Sequence, residues 1–423
     1  MNKILEIYDL GVAYFRDNKL EKAAIAFVQT IELEPSFLLA YIDYARILVI
    51  IKQYNSAINI LQKALQIEPN IIEAHNLLGD AYFALGYFES SLKAYNTAFE
   101  IEPNNINALL NLAIYYSAMG EIKTAQEIYQ IAFKIDRHNP TILLNYAICL
   151  LQSGNLLDGF KFYNARLLLD DHPKPKIPFP IWNGEDIANK KILILGEQGF
   201  GDEIQFIRYL PLLKQMGATV SLICKPELKE LFENSNVAHT VLNANEDIGV
   251  HDYWIFLMSL PKVFKTTLET IPADMPYLKA NRQKQEFWLS NLPKDKQLIG
   301  IMRRGNSMKI DDTKSFEILF QQDAYFISLD NNFDDKWQDS VLQYNEYIDN
   351  FADLCALISC LDLVISVDTA VVHLAGALNK KCIVLLPKVS CCWRWGVAKD
   401  TSPWYSSLRL VRQKDIGCWS NLF

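Results

Sequence analysis

A period of 34 residues constrains the fold of the first 169 residues more than any other feature of the chain. Small residues recur at this spacing, and bulky side chains such as Tyr14, Tyr82 and Tyr116 follow them at a fixed distance. A small residue lets two helices approach closely, and a proline ends the second helix of a pair. The period therefore predicts stacked helix pairs in four regular units and a degenerate fifth. The small residues are Gly11, Ala45, Gly79, Ala113 and Ala147, the prolines are Pro35, Pro69 and Pro103, and the units span 4–37, 38–71, 72–105, 106–139 and 140–169.

This pattern resembles the tetratricopeptide repeat (TPR), which has the same length and the same order of small and large residues. The resemblance implies an α-solenoid over residues 1–169 whose concave groove binds a protein or a peptide. The alternative is a stalk that packs on the next domain or mediates self-association. Residues 170–183 contain four prolines and are expected to form a stiff linker, with His172 in solvent.

Residues 184–423 alternate short apolar runs with segments typical of helices, which predicts parallel sheets covered on both faces. A polar break at residues 294–296 separates two halves, 184–290 and 291–423. Ligands of such folds bind beyond the carboxyl ends of the strands, so we expect a cleft between the halves. The predicted strands span 192–195, 218–224, 240–242, 254–257, 298–302, 325–330, 361–367, 382–386 and 408–412.

The first candidate site is a glycine turn that joins a buried strand to a helix. Gly196, Gly199 and Gly201 form the turn, and an amphipathic helix is expected to begin at Asp202 and to run to residue 213. Helix starts of this kind point backbone N–H groups at a phosphate.

The second candidate site follows the strand that ends at Val367. Asp368 and Thr369 are good caps for the helix that is predicted to begin at Ala370. The functional alternative is that this helix start and the Thr369 hydroxyl hold a pyrophosphate. His373, one turn into the helix, is either a ligand contact or a core histidine.

A basic loop and a tryptophan-rich segment complete the candidate set. The loop follows a strand end and suits an anionic ligand, with a solvated loop as the alternative. The tryptophans either pack as a lid or form a platform for a nucleotide base. The residues are Arg303, Arg304, Lys309 and Lys314 in the loop and Trp393, Trp395 and Trp404 in the second segment.

Together these segments resemble the tetratricopeptide-repeat glycosyltransferases whose catalytic half is heptosyltransferase-like. The strings that carry the resemblance are WNGED, ILILGEQGFGDEIQFIRYLPLL, LMSLP with TTLETIP, a basic loop containing GN, VDTAVVHLAGAL, and WRW followed by SPWY and LRLVRQ. The resemblance implies a GT-B architecture, in which two Rossmann-like halves bring donor and acceptor together. The chain is more distantly similar to O-GlcNAc transferase, which also places repeats before a GT-B domain.

The resemblance also implies roles for individual residues. Asp202 matches the catalytic base of heptosyltransferases, and such a base is needed when a sugar is transferred with inversion. The alternative is that Asp202 only caps its helix, and both can be true, since a cap would hold the carboxylate still. Three departures from the family pattern are Ala370 in place of glycine, a shorter basic loop, and Cys391 with Cys392 before WRW. The residues implied to bind the donor are Gly199, Gly201, Arg303, Asn306, Lys309, Lys314, Asp368, Thr369, His373, Trp393 and Arg394.

Composition excludes several classes of partner. The formal net charge is −8 and no cluster of five or more Lys and Arg residues occurs, which argues against nucleic acid. No apolar run is long enough to span a membrane, and the first residues lack the apolar core of a secretory signal. The eight cysteines form no C-x-x-C pair and indicate reduced thiols, so we expect a cytoplasmic protein.

The sequence therefore predicts an inverting glycosyltransferase that uses a nucleotide sugar as donor and a protein or glycan as acceptor. No D-x-D triplet occurs, which fits a reaction without a metal or other cofactor. The oligomeric state stays open, with a homo-oligomer formed through a terminal repeat as one alternative. Two alternatives stay open: a repeat scaffold whose transferase half has lost catalysis, and a lipopolysaccharide-core transferase working at the inner membrane face.

Overall fold

The computed structural model of the protein describes residues 2–305, 318–330, 339–397 and 399–416. The predicted donor-binding residues Asn306, Lys309 and Lys314 lie outside the described residues. Contacts divide the chain into two compact units, Met1–Asn145 and Tyr146–Phe423.

The first unit consists of antiparallel helix pairs, as the 34-residue period predicts. In the third pair, Gly79 on the first helix faces the Tyr95 ring on the second, and in the first pair Gly11 faces Phe27 in the same way. Each aromatic ring fills the space that the missing side chain leaves, so the repeat core is closely packed. The helices are α1 Asn2–Arg16, α2 Leu20–Leu33, α3 Leu38–Ile50, α4 Tyr54–Ile67, α5 Ile72–Ala84, α6 Phe88–Ile101, α7 Ile106–Ala118, α8 Ile122–Ile135 and α9 Pro140–Gln152.

The boundary between the units falls inside α9, so the last helix pair, α9 and α10 (Leu156–Tyr163), lies mostly in the second unit. A 3₁₀ turn, Asn164–Leu168, follows α10. Phe160 of α10 is buried and packs edge-on against Phe206, Trp393 and Trp404.

Two parallel sheets form the rest of the second unit, in agreement with the apolar runs of the sequence. The first has the strand order β3-β2-β1-β4, and the second has the order β6-β5-β7-β8-β9. Both are parallel throughout, and each observed strand lies within two residues of its predicted ends. The strands are β1 Lys191–Leu195, β2 Thr219–Ile223, β3 Thr240–Leu242, β4 Tyr253–Phe256, β5 Gln297–Met302, β6 Ala324–Ser328, β7 Leu363–Val367, β8 Cys382–Leu386 and β9 Leu408–Arg412.

The helix predicted from Asp202 to residue 213 begins two residues earlier and is interrupted. A 3₁₀ turn, Ile207–Tyr209, separates two shorter helices, because Pro211 lacks the N–H that a continuous helix would need there. No helix in the described ranges is both long enough and apolar enough to cross a bilayer. The helices of this region are α11 Phe200–Phe206, α12 Leu210–Gln215, α13 Pro226–Asn234, α14 Leu260–Val263, α15 Arg282–Asn291, α16 Phe351–Cys360 and α17 Ala370–Ala377.

The proline-rich linker packs along the first sheet. The Trp182 N–H donates to the Trp254 carbonyl at 2.9 Å, and the Trp254 N–H donates to the Pro180 carbonyl at 3.0 Å. The prediction that His172 lies in solvent is wrong, because its side chain is 10% exposed and Nε2 lies 3.2 Å from Glu197 Oε2. The carboxylate comes from a distant turn, which is why the linker composition gave no sign of it.

The contact between Gly79 and Tyr95 gives a test of the repeat packing. A Cβ at position 79 would overlap Tyr95 Cε1, so Gly79→Ala must displace the ring. We expect a loss of about 1–3 kcal/mol and faster hydrogen exchange in α5 and α6. Ser90→Ala, at an exposed position of α6, is the control and should change stability by less than about 0.5 kcal/mol. Equal exchange in both variants would contradict this account of the repeat core.

Candidate functional site

Asp202 lies in the first turn of α11 and makes two contacts through its carboxylate. Oδ2 accepts the Gly199 N–H at 2.8 Å, which closes the helix start. Oδ1 forms an ion pair with Arg394 Nη2. Gly199 is exposed and Asp202 is half-buried, so the carboxylate is within reach of solvent. The capping interpretation of Asp202 is therefore visible in the structure, and the same geometry holds the carboxylate still.

Arg394, which binds this carboxylate, comes from a turn that follows a strand of the second sheet. It lies in the 3₁₀ turn Trp393–Trp395, and its side chain is 9% exposed. Nε donates to Gln205 Oε1 at 2.5 Å, Nη1 donates to Cys392 Sγ at 3.4 Å, and the guanidinium lies 4.4 Å from the centre of the Trp393 ring. Burial alone would lower the pKa of this guanidinium, but the charge of Asp202 and the neighbouring Cys392 outweigh it and raise the pKa. Arg394 therefore stays charged beside Asp202.

Asp368 and Thr369 lie at the start of α17, as predicted. The Thr369 hydroxyl accepts the Val371 N–H at 3.3 Å and lies 3.2 Å from the Ser366 hydroxyl, so it caps the helix. Burial raises the pKa of the Asp368 carboxyl, and Asp202 raises it further, against the opposing effects of Trp395 and Arg394. Asp202 and Asp368, from different sheets, thus share one electrostatic environment around Arg394.

The two helix starts touch, whereas the sequence led us to expect a gap between them. A Cβ on Gly201 would lie 2.7 Å from His373 Cδ2 and 3.5 Å from the Ala370 Cα. Only a residue without a side chain lets α11 and α17 come this close. The structure therefore assigns Gly201 to helix packing, while Gly199 remains at the exposed end of the turn.

In this structure His373 and the tryptophans pack against one another in the interior, which was one of the two interpretations of each. His373 is 5% exposed, its Nδ1 lies 3.0 Å from the Tyr405 hydroxyl, and its ring stacks on Trp395. Burial lowers the pKa of His373 well below the usual value, so the imidazole is neutral at pH 7. Trp393 and Trp404 are also buried and pack edge-on against each other.

The basic loop begins beside the Asp368–Thr369 cap. The N–H groups of Arg303 and Arg304 donate to the two oxygens of Asp330, at 3.1 and 3.3 Å. Gly305 is close enough that a Cβ there would lie 3.2 Å from Thr369 Cγ2. The start of this loop therefore lies next to the second candidate site.

Several residues that build this region were not singled out from the sequence. Arg208 is buried, donates to the Trp404 carbonyl at 2.8 Å and stacks on the Tyr405 ring at 4.6 Å. Tyr277 donates to the Ile204 carbonyl at 3.0 Å, and Gln205 binds Arg394. Only the apolar surroundings of Arg208, in the string FIRYLP, hinted at a buried charge.

The repeat unit has a polar chain of its own that links three helix pairs. The Tyr8 hydroxyl donates to Asp43 Oδ2 at 2.7 Å, and Arg46 binds Asp43 at 2.6 Å and Glu73 at 2.8 Å. These side chains come from α1, α3 and α5, the first helices of successive pairs.

Each of the two units contains a segment that matches a known family. Residues 45–86 and 79–120 match the TPR repeat, and residues 349–401 match glycosyltransferase family 9 (heptosyltransferase). The second match includes Asp368, Thr369 and Arg394 and does not reach Asp202. Two segments of the chain therefore match the TPR repeat and one matches a family 9 glycosyltransferase, which confirms the resemblance to TPR glycosyltransferases.

Protein FlbA of Caulobacter vibrioides is 25% identical to the chain over 291 residues. The match covers 59% of the chain and 48% of FlbA, so the chain spans about half the length of that relative. Among solved structures, the TPR protein TTC0263 of Thermus thermophilus is 21% identical, with a TM-score of 0.37, over 40% of this chain and 91% of its own. PilF of Pseudomonas aeruginosa is 17% identical, with a TM-score of 0.36, over 40% of this chain and 78% of its own.

Removing the Arg394 guanidinium should weaken the second unit. Arg394→Met leaves the Asp202 carboxylate without its cation and Gln205 without its donor, so we expect a loss of about 3 kcal/mol in the free energy of unfolding. Arg409→Met, at an exposed arginine of β9, is the control and should cost less than about 0.5 kcal/mol. Urea unfolding followed by tryptophan fluorescence measures both. Similar losses in the two variants would mean that the Asp202–Arg394 pair does not hold the unit together.

The raised pKa of Asp368 predicts a pH dependence of stability. A carboxyl with a raised pKa favours folding below its unfolded pKa of about 3.9 and loses that contribution as the pH rises through the folded value. We therefore expect Asp368→Asn, which cannot ionise, to become more stable relative to the natural protein between about pH 4 and pH 7. Thermal unfolding across this range measures the difference. A difference that stays constant, or that grows in the opposite direction, would contradict the burial of this carboxyl.

Proposed function

We propose that the protein is a glycosyltransferase that moves a sugar from a nucleotide-activated donor to a protein or glycan acceptor, with inversion and without a metal ion. The observation that carries the proposal is the placement of Asp202 and Asp368, which follow strands of two different sheets, around Arg394, with Thr369 next to Asp368 at the start of α17. The family 9 match of residues 349–401 supports the donor side of this cluster.

In this mechanism Asp202 is the base. Inversion requires a group that takes the proton of the acceptor hydroxyl as the hydroxyl attacks the anomeric carbon. Gly199 and Arg394 occupy two of the roughly four lone-pair positions of the carboxylate, so the others can accept a proton. The two contacts also fix the direction of the carboxylate, which is the condition for efficient proton transfer.

The helix start of α17 is the proposed site for the diphosphate leaving group. Its first N–H groups and the Thr369 hydroxyl can donate to phosphate oxygens, and the helix dipole favours negative charge there. Arg394, and the lysines Lys309 and Lys314 of the basic loop, would supply positive charge as the leaving group develops its own. Neutral His373 contributes no charge to this step.

The repeats are proposed to hold the acceptor or another protein partner. A tetratricopeptide array presents a continuous surface, and the polar chain of Tyr8, Asp43, Arg46 and Glu73 offers hydrogen-bonding groups on it. Association between copies of the chain through the same repeats is a second use of this surface.

A non-catalytic scaffold is the alternative function. Direct contact between Gly201 and His373 and the pairing of Asp202 with Arg394 favour it, because both fill the site with the protein's own groups. A scaffold would bind a nucleotide or a partner but would show no turnover with any donor.

Nucleotide release across a panel of sugar nucleotides, with and without candidate acceptors, separates these functions. We expect release with at least one donor, and a loss of at least about 100-fold in Asp202→Ala, because general base catalysis contributes a factor of that order. Circular dichroism checks that the variant is folded. Asp171→Ala, an exposed carboxylate in the linker, is the matched control and should release nucleotide at the natural rate.

Two outcomes would go against the proposal. A folded Asp202→Ala variant with full turnover would remove Asp202 from the mechanism. Nucleotide binding by calorimetry without release from any donor would favour the scaffold.

A further inference from the structure

Glu197, the second residue of the glycine turn, is buried and fully engaged. Its side chain is 4% exposed, and its carboxylate accepts Arg166 Nη2 at 2.6 Å, Arg166 Nε at 2.9 Å and the Met258 N–H at 3.1 Å. His172 Nε2 lies 3.2 Å from the same carboxylate. A fixed side chain at this position fixes the backbone of the turn.

Arg166 is oriented as completely as Glu197. A guanidinium has five N–H groups, and each has an acceptor here. Two point at Glu197, and the other three donate to the Tyr163 carbonyl at 3.3 Å, the Asn164 side chain at 3.0 Å and the Ser259 hydroxyl at 3.0 Å. A lysine could not reproduce this planar arrangement.

The next residue of the turn is held from the same direction. Gln198 has a φ of +63°, a left-handed conformation that a residue with a side chain adopts only when its surroundings impose it. Its side-chain Nε2 donates to the Tyr163 hydroxyl at 3.0 Å, and its Oε1 accepts a hydrogen bond from the same hydroxyl at 3.2 Å. Its backbone carbonyl accepts a hydrogen bond from Lys225 Nζ at 2.5 Å.

Tyr163 and Arg166 both come from the segment that the sequence assigns to the degenerate fifth repeat, at the end of α10 and in the 3₁₀ turn after it. Two consecutive residues of the turn are therefore fixed by two residues of one repeat. The next contact along the chain is the hydrogen bond from the Gly199 N–H to the Asp202 carboxylate, which depends on the shape of the turn.

We infer that Arg166, with Tyr163, is a positioning residue for the glycine turn, and that the last repeat belongs to the transferase machinery rather than to the partner-binding array. A buried ion pair is often no more stabilising than a well-packed apolar pair, so stability alone does not explain Arg166 and Glu197. The pair instead fixes the backbone of the turn, and the turn sets the direction of the Gly199 N–H and of the Asp202 carboxylate. The consequence for turnover rests on the proposed function, whereas the effect on the turn does not.

Hydrogen exchange measured by mass spectrometry tests the inference on the full chain. In Arg166→Lys we expect the amides of residues 196–203 to exchange about tenfold faster, while those of β2 keep their natural rates, because only the turn loses its support. Lys161→Met, an exposed position on α10, is the control and should leave both regions unchanged. Natural exchange rates in the turn of Arg166→Lys would overturn the inference.

A double variant, Arg166→Met with Glu197→Met, separates positioning from stability. Replacing both charges removes the cost of a lone buried charge, so we expect the midpoint of thermal unfolding to recover relative to Arg166→Met alone. The turn should still exchange fast, because the fork of hydrogen bonds is gone. If the double variant recovers both its unfolding midpoint and the protection of the turn, Arg166 has only a structural role.

Kinetics add a readout that links the turn to chemistry. Given a donor that the natural protein uses, Arg166→Lys should lower kcat and leave the donor KM unchanged, since Asp202 and not the helix start of α17 depends on the turn. An unchanged kcat would overturn the link. Absence of turnover in the natural protein would count against the proposed function alone, because the exchange experiment still decides the role of Arg166.

Discussion

The ion pair between Arg394 and Asp202 joins segments that follow strands of the two different sheets, and we expect the stability of the second unit to depend on it. The two residues lie 192 positions apart, one in the helix that follows β1 and the other in the turn that follows β8. A buried guanidinium is tolerated only when its N–H groups and its charge are satisfied, and Asp202, Gln205 and Cys392 do this together. Because the same carboxylate also closes the start of α11, one side chain joins the glycine turn to the opposite sheet.

The Asp202 carboxylate therefore has two roles in the proposed mechanism, because the group that binds Arg394 is also the group that would take the proton. Arg394 and Gly199 engage two of the lone pairs of the Asp202 carboxylate, so in the proposed reaction the proton of the acceptor would go to another lone pair. The Arg394 guanidinium keeps the carboxylate aimed, and in the proposed reaction the anionic leaving group would be a second partner for the same arginine. In the proposed reaction Arg394 would be shared between two negative charges, one on the protein and one on the donor, and its packing on Trp393 would limit where it can move.

Local features of the sequence predicted the fold well, because repeat spacing and apolar runs act over short distances. The helix pairs and the parallel strands follow from them, and so do the caps at Asp202 and Thr369, since capping involves residues two or three positions apart. Contacts between remote residues had no such signal. The pairing of Glu197 with Arg166, the burial of His172 and the contact of Gly201 with His373 each join segments that only the completed fold brings together. The interruption at Ile207–Tyr209 was missed for another reason: the apolar spacing continues through it, while Pro211 breaks the backbone hydrogen bonds.

The burial of Arg166 limits how such a chain can change its length during evolution. Arrays of repeats commonly grow and shrink by duplication or deletion of whole units, since each unit contacts mainly its neighbours. The fifth repeat is an exception, because Tyr163 and Arg166 bind Gln198 and Glu197, which lie outside the repeat array. Gains and losses of repeats should therefore be confined to the region upstream of α9, and a deletion that removed α10 would take part of the glycine turn's support with it.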